Sequence, residues 1–147
     1  AGAFEKVVLA RAVQATAPGP FDVGAALRHL RAAHPECYVF GHWRGGARDA
    51  AAFVGASPER LVRLDGREVR ASSLAGSVRR GATPDEDARL AAELLASAKD
   101  RAEHEVVRRV LCAALAELCD DVAAPREPSL LTLGNVHHLL TAVRARL

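Results

Sequence analysis

FVGASPERLVRLDGREVRASSLAG, residues Phe53 to Gly76, is the stretch that decides the fold class. Asp65-Gly66 separates two strand-like runs, and this dipeptide favours a two-residue type I′ hairpin because both of its positions tolerate positive φ. A turn there sets a register in which Leu64 faces Arg67, Arg63 faces Glu68, Val62 faces Val69 and Leu61 faces Arg70. One opposite-charge pair and one β-branched pair result, both favourable across an antiparallel ladder. Continued further, the register sets Glu59 opposite Ser72. A carboxylate just after the Ser57-Pro58 bend then lies beside the small-residue run Ser72 to Ser77, a plausible site for a ligand. The plainer reading makes Glu59 a solvated loop residue.

Upstream, Phe4 to Val13 (FEKVVLARAV) reads as a strand with apolar groups on both faces, hence a buried one. The chain uses Arg for nearly all its positive charge and keeps Lys only at Lys6 and Lys99. Arg cannot serve as a base in water, whereas a desolvated Lys can, because burial lowers its pKa towards the working range of a general base. Lys6 in a buried strand fits that role; Lys6 snorkelling from a frayed end is the structural alternative. Asp22 is a good N-cap for a helix to about Ala33, with Val23, Ala26, Leu27 and Leu30 as its inner stripe. Cys37 to Trp43 and Ala51 to Gly55 read as strands, and with the Asp65-Gly66 hairpin they form an antiparallel series.

Downstream, Thr83-Pro84-Asp85-Glu86 starts a helix, with Thr as cap, Pro at the first position and Glu at the capping-box position. Ser97 caps a second helix that runs to about Cys119. At helical spacing, Val107, Val110, Leu111, Ala114 and Leu118 share a face with Glu103 at its edge, while His104 points away. A carboxylate on a buried face needs a cationic partner: the helix dipole, an Arg or a divalent metal. Leu130 to Leu147 reads as one last strand that sends His137 and His138 to opposite faces.

At 147 residues the chain is about one domain in length and reads as α+β, a largely antiparallel sheet flanked by helices. A net charge of +2 gives no reason to expect nucleic acid. No apolar run approaches a membrane span and no signal peptide is evident, so the expected setting is cytoplasmic. Three cysteines without a CxxC argue against disulfide or zinc frameworks.

Five strings in order, KVVLAR (Lys6 to Arg11), FVGASPERLVR (Phe53 to Arg63), LAGSVRRG (Leu74 to Gly81), KDRAEHEVV (Lys99 to Val107) and NVHHL (Asn135 to Leu139), resemble the chorismate-utilising enzymes, in particular the isochorismate synthases. The resemblance implies that Lys6 is the base that activates water for attack on the chorismate ring and that Glu59 is the acid that protonates the departing hydroxyl. It implies substrate binding at Gly76, Ser77 and His138, and a Mg2+ ligand at Glu103. Ammonia-using members lack that Lys, so Lys6 favours water; salicylate synthases keep it and then eliminate pyruvate, and they remain an alternative. The family domain continues past the position of Leu147, through a GAGIV-like segment with further metal and carboxylate ligands. Residues 1–147 are therefore expected to be part of a chorismate-binding domain, associating with themselves or with the missing half. A non-catalytic interaction module is the other class left open.

Overall fold

The computed structural model describes residues 7–46 and 51–147. It falls into two units, Ala1–Pro58 and Glu59–Leu147. Lys6 lies outside the described residues. The rest of its expected strand does not form: residues 7–13 have no regular structure and are exposed, Leu9 to 93%. Apolar alternation alone cannot hold a strand, and among the described residues no ladder bonds this backbone.

In the first unit, α1 (Val23–Ala33) begins where expected, because the Asp22 carboxylate accepts the Ala25 N–H at 2.8 Å. Its half-buried stripe is the anticipated Val23, Ala26, Leu27 and Leu30. The His34 N–H closes the last turn on the Leu30 carbonyl before Pro35 stops the helix. β1 (Tyr38–Arg44) and β2 (Ala51–Ser57) pair antiparallel, from Tyr38 opposite Ser57 to Arg44 opposite Ala51. Phe40 lies directly across from Gly55, where a Cβ would stand 2.7 Å from its ring. The absent side chain at Gly55 thus makes room for an aromatic ring.

The second unit holds β3 (Arg63–Asp65), β4 (Glu68–Arg79), α2 (Pro84–Ala96), α3 (Ala98–Ala116), β5 (Asp120–Ala123), β6 (Ser129–Thr132) and β7 (Val136–Arg146). The sheet order is β3-β4-β7-β5, with β6 also on β7. The α+β class stands, but the strands do not form one series, since β1 and β2 make a separate sheet. The final segment is a hairpin rather than a single strand: Gly134-Asn135 turns the chain between Leu133 and Val136, whose N–H and carbonyl bond at 2.9 Å.

The β3–β4 hairpin also differs from expectation. Arg63 faces Arg70, Leu64 faces Val69 and Asp65 faces Glu68, so the turn residues are Gly66 and Arg67. Gly66 has φ +60°, as the first central position of a type II′ turn requires. The pairing slips by two residues, so every side chain keeps its face. Like charges now lie opposite, and the strands relieve this internally: Arg70 grips Glu68 with two bonds of 2.8 Å and Arg63 reaches Asp65 at 3.1 Å. The ladder starts at Arg63, so Glu59 is not paired with Ser72.

β4 and β7 build the centre. Val69 faces Ala145 and Ala71 faces Val143, and these four side chains are buried together with Leu94, Leu133 and Leu139. Helices α2 and α3 lie against both strands. α3 is rotated from the expected orientation: Val110 and Leu118 are exposed, and the inner face runs through His104, Arg108, Leu111 and Leu115. No described helix is long and apolar enough to cross a membrane.

Candidate functional site

The β4–β7 ladder breaks between Leu74 and Ser77. Leu74 pairs with Leu140 and Ser77 with His138, so Ala75 and Gly76 together oppose the single residue Leu139, which is a β-bulge. Gly76 has φ +83°, and a Cβ on it would lie 3.1 Å from Leu139 Cδ1 and 3.2 Å from Asp100 Cβ. Conformation and packing both select glycine there. The expected substrate residues Gly76 and Ser77 therefore sit at a built irregularity, packed against the first turn of α3.

His138 joins them. Its Nδ1 is 2.6 Å from Ser77 Oγ, and burial lowers its pKa despite a backbone hydrogen bond with Gly76 that opposes the shift; the neighbouring His137 lowers it further. As alternation in β7 requires, His137 turns to the other face, where it is buried. There it bonds Asp87 Oδ1 through Nε2 at 3.0 Å and Thr132 Oγ1 through Nδ1 at 2.9 Å.

Glu103 lies one helical turn beyond Asp100 on α3. It is half-exposed, with Lys99 Nζ 3.8 Å away, rather than held on a buried face. The rotation of α3 is the cause, since it turns His104 inward instead. An accessible carboxylate fits Mg2+, a hard cation that takes oxygen ligands, retains waters and uses only one or two protein carboxylates. Glu59 opens the second unit; it is exposed, yet partial desolvation raises its carboxyl pKa. Of the expected site residues, Gly76, Ser77 and His138 come together; Glu103 stands on α3, whose first turn meets Gly76 at Asp100. Glu59 lies outside the ladder, and Lys6 is not described.

Two features escaped the sequence. His104, 2% exposed, bonds the Ala75 carbonyl through Nδ1 at 3.1 Å and Thr141 Oγ1 through Nε2 at 2.8 Å. The spacing His104, Leu111, Leu115 was the signal for it. The second is an ion-pair knot: Arg80 holds Asp87 with two bonds of 2.8 Å, and the Gly81 N–H adds a third at 2.7 Å. The Arg80 bond, then the Gly81 amide, with a smaller share from His137, depress the Asp87 pKa well below the carboxylate range.

The family model described as chorismate binding enzyme matches residues 1–147. The salicylate biosynthesis isochorismate synthase of Pseudomonas aeruginosa is 44% identical over 146 residues, covering 99% of this chain and 30% of that protein. Isochorismate synthase DhbC of Bacillus subtilis is 38% identical over 149 residues, covering 99% and 37%. Among solved structures, DhbC from Bacillus anthracis superposes with a TM-score of 0.82 at 37% identity, covering 88% of this chain and 35% of its own. MenF, the menaquinone-specific isochorismate synthase of Escherichia coli, gives 0.75 at 28%, covering 87% and 29%. The chain thus spans about a third of the length of the relatives it matches.

Proposed function

The chain belongs to the chorismate-binding enzyme family, and from that premise we propose that it carries part of the active site of an isochorismate synthase. Residues 1–147 form part of one chorismate-binding domain. The observation that carries this reading is the Ala75–Gly76 bulge with Ser77 and His138 paired at its edge and α3 packed against it. A bulge takes backbone groups out of the ladder and offers N–H donors to an anionic ligand, and chorismate is a dicarboxylate.

In the proposed reaction the Lys6 amine takes a proton from water as the water oxygen bonds to the ring. The ring double bonds shift, the ring hydroxyl leaves, and Glu59 supplies the proton that carries it off as water. Atoms and electrons balance without an oxidant, as an isomerisation requires. Gly76, Ser77 and His138 bind and orient the substrate. Mg2+, held in part by Glu103, would neutralise a substrate carboxylate. The setting is cytoplasmic.

The full-length protein carrying this chain, incubated with chorismate and Mg2+ and resolved by chromatography, should yield isochorismate, and Lys6→Ala should abolish it. Salicylate as the product would favour the pyruvate-eliminating alternative; binding without turnover would favour a non-catalytic module. Residues 1–147 alone leave Trp43, Phe53, Val110 and Leu118 exposed, and this supports self-association or docking of the remainder of the domain. Sedimentation of the isolated chain should depend on concentration; a constant monomer value counts against self-association.

A further inference from the structure

We propose that His104 is a positioning residue that aims the Gly76 amide at a substrate carboxylate, an inference that rests on the chorismate-binding reading of the bulge. The Ala75 carbonyl lies within the bulge, between the last ladder pair at Leu74 and the next at Ser77. His104 Nδ1 supplies a donor to it at 3.1 Å. A carbonyl can only accept, so Nδ1 carries the proton. In the neutral ring Nε2 is then an acceptor, and the Thr141 hydroxyl donates to it at 2.8 Å. The Ala75 carbonyl, an acceptor only, thereby selects the tautomer, and the Thr141 hydroxyl, able to donate or accept, adapts to it.

Peptide geometry carries the effect to Gly76. The Ala75–Gly76 peptide is trans, as are all those described, so its C=O and N–H point in opposite directions within one plane. Holding the carbonyl against α3 turns the Gly76 N–H away from α3. A flipped peptide would present a carbonyl oxygen where the anion should bind, exchanging attraction for repulsion. The residues around the ring fit a purpose beyond packing. Val69, Ala71, Val143 and Ala145 form apolar pairs along the inner face, yet the next pair, Ser73 opposite Thr141, is polar and buried beneath His104. Burying such groups costs free energy that an apolar pair would avoid.

Two variants separate this role from simple packing in the full-length protein. His104→Asn retains a donor at the Nδ1 position and loses Thr141, whereas His104→Gln retains reach to Thr141 and loses the donor to Ala75. We expect His104→Gln to raise the KM for chorismate by ~10-fold or more with a smaller change in kcat, and His104→Asn to stay within ~3-fold of the parent. Equal KM values in the two variants, or KM following thermal stability alone, overturn the proposal. Imidazole 15N shifts, assigned by difference against His104→Asn, should show the Nδ1–H form, and the Nε2–H form overturns the anchoring independently of turnover. A parent protein inert towards chorismate overturns the functional reading and the carboxylate role with it; an active parent with matched variants overturns His104 alone.

Discussion

Partial desolvation raises the Glu59 pKa, so more of the carboxyl remains protonated as pH rises than in an ordinary glutamate, and a general acid works only in that form. In the full-length protein kcat should therefore fall as pH rises through the raised Glu59 value, and Glu59→Gln should lower kcat by ~10²–10⁴-fold. The stability sign is opposite to that of a paired carboxylate. With its folded pKa above the unfolded one, Glu59 makes the protein less stable as pH climbs through that window, so Glu59→Gln should unfold no more easily than the parent at neutral pH. Retained turnover in that variant refutes the acid assignment. Gly76→Ala tests the bulge, since φ +83° and contacts of 3.1 and 3.2 Å oppose any side chain. A loss of roughly 1–3 kcal/mol in urea titrations is expected. At the residue scale the sequence was legible only in part: Gly76, Ser77 and His138 come together at the bulge, while Glu59 lies outside the ladder in which the sequence reading sets it. His104 was not legible, because a helical wheel fixes which residues share a face and leaves open which face the sheet covers. That choice fell to Leu111 and Leu115 packing inward over Val110 and Leu118.

Among elements, the helix starts were readable because capping is chemistry within four residues. Asp22, Thr83 and Ser97 each accept an N–H from the first turn they cap. One detail shifted: Glu86 bonds the Ala82 N–H at 2.7 Å instead of closing a capping box on Thr83. The hairpin register was not readable, because Gly66 can occupy either a type I′ or a type II′ turn, and cross-strand charge pairs worth ~0.2–1 kcal/mol do not decide between them when the same acids satisfy the same arginines along each strand. The Gly134-Asn135 turn carries a hairpin dipeptide, and the single-strand reading of Leu130 to Leu147 passes over it in favour of the apolar run on either side. At the same end of the sheet, Asp87 ties α2 to Arg80, the residue that follows β4, and to β7 through His137, and Arg80 also bonds the Leu133 carbonyl at 2.8 Å. Its folded pKa is depressed, so this stabilisation is complete above the unfolded carboxylate range, about pH 4, and is lost as pH falls below it. Asp87→Asn should flatten the acid limb of stability against pH. Parallel acid limbs in parent and variant would show that Asp87 does not titrate as described.

Across the whole molecule, the fully buried apolar residues described all belong to the second unit. The first unit packs one helix on a two-stranded sheet with only half-buried contacts. Local stability follows buried apolar contact, so amide hydrogen exchange should be slowest in β4 and β7 and clearly faster in β1 and β2; equal protection would contradict that order. The fold class was legible from the sequence because turn and cap signals partition the chain, whereas its division into two sheets depends on pairings that no local signal specifies. One of those pairings governs how the chain emerges from the ribosome. β7 bonds β4 along one edge and β5 and β6 along the other, and it is the last of these strands to be made. At ~5–20 residues per second, β4 waits several seconds in the exit vestibule with only the short β3 beside it. Until β7 arrives one edge of β4 stays open, and the last hairpin of the chain is what closes the sheet.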